Sequence, residues 1–417
     1  MGFVETLPPV SRRGFLKLLS AGLAGTASFS PEGVNMQNKF SRVFDVFLDQ
    51  PDEWKEAELS NEAFVERNGE KLKNMDISFS FSPEQLYGLS ASNYKTEEGK
   101  RLTEKSVEAL KFIHKELGAD EVRLGVRWDN AVDENGNFDF GFYKPYFDYC
   151  IQNGLNICLN IGIKVFRWPE DHVPPMYKDI MPADKSVIGM ESPLSAAYLK
   201  FADSMMHHLI SSYSKRELET ITKIQPENEA FHSFGQHGWT MGNDYLTTLV
   251  EHIDKFLPGR KILFNSSEYT NLPQISELFK ILSDFIDKKR LVPAINYYPF
   301  CYPGPDSPSF YQLLSLIPGN VTLGTLRDRG YAPLEMSEIQ AEQWLNRPLP
   351  RDWATSIKYI TLRSINDILA NQQSSVLSYW GIESLLQADP KLSAPVFDLF
   401  VKMREDKLKR SENKKLL

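Results

Sequence analysis

The stretch Gln225-Pro226-Glu227-Asn228-Glu229 follows a short run, residues 220–224, that is typical of a β-strand. Directly after it, residues 230–235 contain two phenylalanines, a histidine and a glycine, which end the strand pattern. A carboxylate beside an amide at the end of a strand is well placed for proton transfer to or from a bound molecule. Two acidic residues in five are common on any surface, so this stretch indicates a functional site only together with features elsewhere in the chain.

Short apolar runs alternate with helical patterns from about residue 76 onward, which predicts a parallel sheet with helices outside it. The helices predicted after the first two runs end at glycines, Gly118 and Gly154. Eight strand–helix pairs without a shift in composition predict one α/β domain, a (β/α)8 or TIM barrel. The eight predicted strands are residues 77–81, 122–127, 155–163, 220–225, 261–265, 291–298, 331–336 and 376–379.

Composition is that of a soluble globular protein, with 42% hydrophobic and 24% charged residues in a total of 417. The formal net charge of −8 argues against nucleic acid as the main partner. No run of eighteen or more uncharged apolar residues occurs, so no stable membrane anchor is predicted. Three cysteines, Cys150, Cys158 and Cys301, lack the spacing of a metal site and the even number of a disulfide framework, and the first two are expected to be buried free thiols.

The amino terminus has the layout of an export signal, in which basic residues precede a short apolar stretch and then small residues. Ser11-Arg12-Arg13-Gly14-Phe15-Leu16-Lys17 resembles the twin-arginine motif, which implies export of the folded chain by the twin-arginine machinery to the periplasm or the cell exterior. A basic helix that packs on the domain is the alternative. The sequence thus predicts a signal peptide at 1–28, a polar lead-in at 29–75, the barrel at 76–401 and a basic tail at 402–417.

Tryptophans are concentrated at the carboxyl ends of the predicted strands, where the active site of a (β/α)8 barrel lies. Tryptophan faces stack on the apolar faces of sugar rings. One tryptophan at a strand end is explained by core packing, whereas five at five ends favour a carbohydrate site. The five are Trp128, Trp168, Trp239, Trp344 and Trp380.

A second carboxylate, Glu338, lies just past the seventh predicted strand. Glu229 and Glu338 are 338 − 229 = 109 residues apart, or three strand–helix units, and strands four and seven face each other across a closed barrel. The pairs Asn228-Glu229 and Ser337-Glu338 resemble the acid/base and nucleophile segments of glycoside hydrolase clan A, which contains retaining enzymes built on (β/α)8 barrels. The resemblance covers about residues 76–387 and implies that Glu229 is the acid/base and Glu338 the nucleophile.

Both carboxylates have rivals close by in the sequence. Glu335 and Glu342 compete with Glu338, and Glu227 competes with Glu229. Alternation places Glu227 and Glu229 on the same side of an extended chain, so periodicity alone does not choose between them. The choice of Glu229 follows from the family pattern, in which the acid/base comes directly after an asparagine.

The same resemblance implies supporting roles for further residues. Arg123 matches an inward arginine on the second strand that keeps the nucleophile ionised, and a nearby cation does lower the pKa of a carboxylate. Tyr298 matches a tyrosine that bonds the nucleophile, Asn228 an asparagine that bonds the sugar 2-hydroxyl, and Trp380 a tryptophan under the sugar. The other candidates for substrate contact are Trp128, Trp168, Gln340 and Trp344.

Three histidines near strand ends, His172, His232 and His237, have no spacing that fits a metal-ligand motif, and neither a metal nor another cofactor is expected. The chain has no phosphate-cradling glycine loop and no Gly-x-Ser-x-Gly elbow, so nucleotide and serine-hydrolase chemistry are not predicted.

The function predicted from the sequence is that of an exported retaining β-glycoside hydrolase with an oligo- or polysaccharide substrate. A transglycosylase would use the same residues. A carbohydrate-binding barrel without catalysis is the alternative from a different class of protein.

Overall fold

Eight parallel strands close into a barrel in the computed structural model of this chain. The structure describes residues 51–133, 135–266, 271–298, 326, 329–342, 349, 351–368 and 375–415. Each barrel strand pairs with the next one along the chain, and the last pairs with the first. The (β/α)8 fold predicted from the sequence is therefore confirmed. The strands are β1 (Met75–Phe81), β2 (Glu121–Val126), β3 (Asn156–Ile161), β4 (Ile221–Pro226), β5 (Lys261–Ser266), β6 (Leu291–Tyr297), β7 (Glu335–Gln340) and β8 (Ser375–Trp380).

Helices alternate with these strands along the chain. Local sequence sets several of their ends: Ser60, Ser82 and Thr96 accept backbone hydrogen bonds at helix starts, and Gly154 ends a helix with a φ of 66° that favours glycine. The helices are α1 (Pro51–Ala57), α2 (Asn61–Leu72), α3 (Pro83–Tyr87), α4 (Glu97–Lys115), α5 (Lys144–Asn153), α6 (Pro193–Ser212), α7 (Lys215–Leu218), α8 (Asn243–Phe256), α9 (Leu272–Leu282), α10 (Trp353–Arg363), α11 (Ile382–Gln387) and α12 (Pro390–Lys415).

Alternation along β4 shows how polar residues enter the barrel. Lys223 and Gln225 point inward, where they bond side chains of other strands, while Ile224 joins the main apolar core. Beyond the strands, the loops that follow β3 and β4 are tied together by two short paired strands, Val187–Ile188 and Thr240–Met241. The loop that carries Glu227 and Glu229 is therefore held against the loop that follows β3.

The seventh strand begins at Glu335 rather than at residue 331, so Glu338 lies within the strand and not past its end. The apolar residues Tyr331 and Leu334, which attracted the prediction, are buried in the approach to the strand. Sequence patterning placed the strand too early, because most inward side chains of the observed strand are polar and are satisfied inside the barrel.

The part of the expected polar lead-in that the structure describes, residues 51–75, instead contains the helices α1 and α2 and the start of β1. Trp54 of α1 stacks on Tyr359 of α10 with ring centroids 4.0 Å apart, and Phe64 of α2 is fully buried. A few large apolar side chains at helical spacing were enough to dock a mostly polar segment on the barrel.

At the other end of the chain, residues 402–415, expected as a basic tail, continue helix α12. Cys150 and Cys158 are buried free thiols, as expected, whereas Cys301 lies outside the described residues. The predicted signal peptide and its twin-arginine motif also lie outside them. Of the helices that the structure describes, none has the length and apolar character needed to cross a membrane.

Candidate active site

Polar side chains converge in the barrel mouth, where the carboxyl ends of the strands meet. Arg123 comes from β2, Asn228 and Glu229 follow β4, Asn296 lies on β6 and Glu338 on β7, and each of them is at most 6% exposed. Buried polar groups are stable when they are hydrogen-bonded, so their partners show how the site is organised.

Glu338 accepts hydrogen bonds on both carboxylate oxygens. Its Oε1 accepts from Nη1 of Arg123 at 2.5 Å, and its Oε2 accepts from the hydroxyl of Tyr298. Asn296 is the register partner of Glu338 on the neighbouring strand, and Tyr298 lies two residues further along. The structure thus brings together Arg123, Tyr298 and Glu338, the three residues that the sequence grouped.

Glu229 is held by a different set of groups. Its carboxylate accepts from Nδ2 of Asn296 at 2.5 Å and lies 3.2 Å from Nδ1 of His232. Its backbone has a φ of 46°, which non-glycine residues rarely adopt. Two buried side chains fix that backbone: Asn265 accepts from the N–H of Glu229 at 2.8 Å, and the ammonium of Lys164 donates to its carbonyl at 3.3 Å.

The two carboxylates face the same space. Tyr298 directly follows β6 and lies two positions after Asn296, so the period of two directs both side chains to the same side. Asn296 bonds Glu229 while Tyr298 bonds Glu338, so both carboxylates approach that side.

Arg123 connects Glu338 to the segment that carries Glu229. Its guanidinium also donates to Gln225 and to Oδ1 of Asn228, both at 2.7 Å. The same Oδ1 accepts further hydrogen bonds from Asn265 at 3.0 Å and from Gln225 at 3.2 Å. The carbonyl oxygen of the Asn228 amide is therefore fully occupied by these donors, and the amide nitrogen donates to Glu170 instead.

Burial is the largest influence on the pKa of both carboxyls and raises each of them. For Glu229 the hydrogen bond and charge of His232, together with Lys164 and Asn296, outweigh burial, so its pKa lies below the usual value. For Glu338 the charge on Glu229 adds to burial and outweighs Arg123, so its pKa is raised. The acid/base role implied by the resemblance calls for a raised pKa at Glu229, whereas its pKa is lowered because His232, Lys164 and Asn296 outweigh burial. Arg123 lowers the pKa of Glu338, as expected, although burial and the charge on Glu229 outweigh it.

Glu227 does not share the mouth with Glu229, contrary to the expectation from alternation. Its φ of 67° ends the extended conformation, so the period of two no longer applies. The carboxylate accepts from the backbone N–H groups of Ile163 and Lys164 at 2.8 and 2.6 Å and from the hydroxyl of Tyr245 at 2.7 Å. Glu227 therefore joins the loops that follow β3 and β4 and lies apart from the two candidate catalytic groups.

The rivals of Glu338 are occupied elsewhere. Glu335, at the start of β7, accepts from Lys223 at 2.5 Å inside the opposite end of the barrel. Glu342 lies on the rim, where it accepts from Ser384 at 2.9 Å and lies 3.5 Å from a guanidinium nitrogen of Arg167. Of these three glutamates, Glu338 is the one that meets Arg123 and Tyr298.

Two of the strand-end tryptophans belong to the core. Trp128 and Trp239 are fully buried, and Trp128 packs against Tyr177 and Tyr198 with ring centroids 4.6 and 5.3 Å away. The prediction that Trp128 contacts substrate was wrong, because the chain enters a 3₁₀ turn at Trp128–Asn130 and the ring packs away from solvent.

Two others lie at the mouth. Trp168, in the loop after β3, is 67% exposed and meets Phe234 edge to face at 6.0 Å. Trp380, at the end of β8, lies edge-on to Tyr298 at 5.7 Å and has the guanidinium of Arg167 4.1 Å from its ring centroid.

Gln340 and Trp344 are the two remaining candidates for substrate contact. Gln340 is buried at the end of β7 and donates to the carbonyl of Glu342 at 3.3 Å. Trp344 lies outside the described residues.

Glu170 is a third carboxyl of the mouth that the sequence-based set of site residues omitted. It is 6% exposed, and its Oε2 accepts from Nδ2 of Asn228 at 2.7 Å. Burial and the charges on Glu229 and Glu338 raise the pKa of Glu170 to about 8. In the sequence, the only sign of a functional role for Glu170 is its position in an aromatic- and proline-rich loop.

The three histidines do not form a metal centre. His232 bonds Glu229, His237 lies 2.9 Å from an oxygen of Asp184, and His172 lies 3.2 Å from the carbonyl of Arg167. Within the part of the chain that the structure describes, no cluster of histidine, cysteine and acidic side chains has the arrangement of a metal site.

Sequence reasoning also missed the amides that support the site, Gln225, Asn265 and Asn296. Each stands at or near the carboxyl end of a barrel strand, next to buried apolar residues of the same strand. Polar residues at buried strand ends are a usable signal, because a core residue at such a position would be apolar.

No protein-family model matches the chain, and no curated protein sequence matches it either. Similar solved structures include an intracellular xylanase from Thermoanaerobacterium saccharolyticum, with 12% identity and a TM-score of 0.46 over 78% of this chain and 95% of that chain. Another is a broad-specificity endoglucanase from an uncultured bovine rumen ciliate, with 16% identity and a TM-score of 0.47 over 81% and 97%. At such identities and TM-scores the likeness is one of barrel fold, and function has to be inferred from the side chains of this chain.

Proposed function

We propose that this protein is a retaining β-glycoside hydrolase in which Glu338 is the nucleophile and Glu229 the acid/base. The main support is the presence of two buried carboxyls in one barrel mouth with different partners. Glu338 is fixed by a cation and a hydroxyl, whereas Glu229 is fixed by an amide and an imidazole. Double displacement at an anomeric carbon requires one carboxylate that attacks and another that carries a proton.

In the first step, an oxygen of Glu338 forms a bond to the anomeric carbon while the bond from that carbon to the leaving oxygen breaks. Glu229 transfers its proton to the leaving oxygen, which departs as a hydroxyl group. In the second step, Glu229 takes a proton from water as the water oxygen attacks the same carbon and releases Glu338. A sugar hydroxyl in place of water would give transglycosylation with the same residues.

The reaction needs the proton on Glu229 and the charge on Glu338, the reverse of the directions of their pKa shifts. The charge on Glu229 raises the pKa of Glu338, so the protonation of one carboxyl depends on the other and a bound substrate can shift the proton between them. A glycosidic oxygen that accepts a hydrogen bond from Glu229 favours its protonated form, and positive charge on the anomeric carbon favours an ionised Glu338. His232, 3.2 Å from the Glu229 carboxylate, is the neighbour that can supply the proton.

The leaving group lies on the side of Glu229, since Glu229 protonates it. From there aromatic rings lead outward: His232 stacks on Phe234 at 5.8 Å, and Phe234 meets the exposed Trp168 at 6.0 Å. We assign Trp168 to the binding of a sugar in the leaving group. Asn228 and Trp380 are assigned to the sugar whose anomeric carbon reacts.

The test is the turnover of a panel of aryl β-glycosides by the wild type, Glu338→Gln and Glu229→Gln. The wild type should cleave at least one sugar series, and Glu338→Gln should lose that activity on all leaving groups. Glu229→Gln should lose about 10²–10⁴-fold on poor leaving groups and little on activated ones, because an activated phenolate departs without a proton.

Two results would count against this function. Variants as active as the wild type would exclude both carboxyls from the chemistry. Sugar binding without turnover by any of the three proteins would point to a carbohydrate-binding barrel instead.

We also propose that the chain is exported by the twin-arginine machinery, on the basis of Arg12 and Arg13. Replacing both arginines by alanine should hold the protein in the cytoplasm, as followed by cell fractionation. Export of the double variant at the wild-type level would contradict this assignment.

A further inference from the structure

Glu170 is left without a role by the reaction above, although it lies in the same mouth as the two reacting carboxyls. Its position is firmly set by the loop after β3. The loop is closed by a β-bridge between Lys164 and Asp171, and the backbone of Glu170 bonds Arg167 and Val165 at 2.8 and 3.0 Å. A side chain that is held in this way has a fixed relation to the rest of the site.

The carboxyl of Glu170 has no cationic partner among the residues that the structure describes. Glu338 has Arg123, whereas the hydrogen bond that Glu170 accepts comes from the neutral amide of Asn228. A buried carboxylate without a cation is costly, so the neutral acid is favoured.

The net effect of burial and of the neighbouring groups is to raise the pKa of Glu170. Burial has the largest effect, the charges on Glu229 and Glu338 add to it, and the Asn228 amide and the Lys164 ammonium oppose it, so the pKa of Glu170 rises to about 8. Near neutral pH Glu170 therefore carries a proton. Because Oε2 accepts from Asn228, the other oxygen, Oε1, is the one that can hold the proton and donate it in a hydrogen bond.

Asn228 and Glu170 together define the kind of group that fits between them. The carbonyl of Asn228 is occupied by Arg123, Gln225 and Asn265, so Asn228 presents only N–H to a ligand. Protonated Glu170 adds an O–H donor beside it. A hydroxyl oxygen can accept from both donors, whereas an ammonium group can accept from neither.

We propose that Glu170 binds the same sugar hydroxyl as Asn228, and thereby selects sugars with a free hydroxyl on the carbon next to the anomeric carbon. This inference rests on the proposed function, which places the sugar 2-hydroxyl at Asn228. It adds a substrate preference to that function: 2-hydroxy sugars over 2-deoxy and 2-amino sugars.

The test compares aryl β-glycosides of the cleaved sugar that differ only at carbon 2, with a hydroxyl, a hydrogen or an ammonium group. Glu170→Ala should lose about 10- to 100-fold in kcat/KM on the 2-hydroxy substrate, because a buried donor is removed. On the 2-deoxy substrate Glu170→Ala should lose less than about 3-fold in kcat/KM, since that substrate has no 2-hydroxyl to accept the hydrogen bond from Glu170. Glu170→Gln, which keeps both an acceptor and a donor, should restore the 2-hydroxy preference.

The pH dependence of KM gives a second readout. In the wild type, KM for the 2-hydroxy substrate should rise as the pH passes about 8, because Glu170 loses its donor proton there. Glu170→Gln should lack this rise. Titration of Glu229 and Glu338 affects both proteins, so the difference between the two curves reports on Glu170.

Three results would overturn the proposal while leaving the glycosidase function intact. Equal losses on the 2-hydroxy and 2-deoxy substrates would make Glu170 a purely structural residue. A wild-type preference for the 2-ammonium substrate that Glu170→Gln abolishes would make it a cation site. A loss in Glu170→Gln confined to poor leaving groups would make Glu170 the proton donor.

Either of two further results would overturn the glycosidase function and this proposal together. They are the absence of turnover on every glycoside and full activity in Glu338→Gln.

Discussion

The barrel holds two clusters of buried charge at opposite ends of the same strands. At the amino-terminal end, Lys223 of β4 lies between Glu121 of β2 and Glu335 of β7, at 2.9 and 2.5 Å. At the carboxyl-terminal end, Arg123 of β2 meets Glu338 of β7. Arg123 follows Glu121 by two positions along β2, and Glu338 follows Glu335 by three positions along β7, so both clusters depend on the same register between strands.

The two clusters differ in how many of their carboxyls contact a cation. Burial would lower the pKa of Lys223, but Glu121 and Glu335 raise it, so the lysine stays charged between two acids. In the mouth, Arg123 directly pairs with one carboxyl of three, and Glu229 and Glu170 depend on neutral or titratable partners. A cluster in which every carboxyl contacts a cation, here called the compensated cluster, stabilises the barrel, whereas a carboxyl without a direct cationic partner, such as Glu170 with its pKa raised to about 8, can gain and lose a proton near neutral pH.

The largest expected effect is the contrast in activity between two glutamates of one strand. Glu338→Gln should lower kcat by at least about 10⁴-fold, because the nucleophile is removed. Glu335→Gln, the matched control at the other end of β7, should stay within about 3-fold of the wild type because Glu335 does not reach the mouth. Steady-state kinetics on one activated aryl glycoside measures both, and similar losses in the two variants would erase the distinction between the clusters.

The same variant, Glu335→Gln, should lower the stability of the protein although it leaves the activity nearly unchanged. Removing the charge of Glu335 breaks the ion pair with Lys223 while the pair with Glu121 remains, so the loss should stay below the roughly 3 kcal/mol or more that is typical of a buried charge left without any partner. Glu335→Gln should therefore lower the free energy of unfolding measured by denaturant titration. A variant as stable as the wild type would show that the compensated cluster does not stabilise the barrel.

Replacing Trp168 tests whether a leaving-group sugar binds on the open side of the mouth. Trp168→Ala should raise KM by up to about 10-fold on oligosaccharides that carry a sugar in the leaving group, because ring stacking is lost. On an aryl glycoside with the same reacting sugar, KM and kcat should change little. An equal loss on both substrates would assign Trp168 to loop folding and not to the leaving-group sugar.

The smallest expected change is a shift in pH profile at His232. The hydrogen bond and charge of this imidazole lower the pKa of Glu229 against the effect of burial. In His232→Gln the pKa of Glu229 should rise, and the alkaline limb of kcat/KM, where Glu229 loses the proton it donates, should move to higher pH. A limb that stays in place or moves to lower pH would show that His232 does not govern this proton.

The sequence predicted the elements of the mouth well where strand periodicity applies. The roles of Arg123 and Tyr298 came from the resemblance to clan A, and they could be carried over because alternation along β2 and β6 brings both side chains to the mouth. Prediction failed where the chain leaves extended geometry: the positive φ at Glu227 turns its carboxylate away from the mouth, and the 3₁₀ turn at Trp128 buries its ring.

Contacts between distant segments were out of reach for another reason. Glu170 reaches Asn228 across 58 residues, and Asn296 reaches Glu229 across 67. Spacing along the chain carries no information about which loop folds over which strand end. The pKa order of Glu229 and Glu338 depends on such contacts, so it could not be predicted correctly from the two glutamates alone.

The most direct measurement of the central claim is covalent trapping with a 2-deoxy-2-fluoro β-glycoside that carries an activated leaving group. The account predicts that intact-protein mass spectrometry shows one added glycosyl unit, and that fragment ions of the labelled peptide place it on Glu338. Glu338→Gln should stay unlabelled, while Glu335→Gln should be labelled like the wild type. A label on Glu335, Glu342 or Glu170, or turnover of the activated substrate without any label under trapping conditions, would contradict the assignment of Glu338 as the nucleophile.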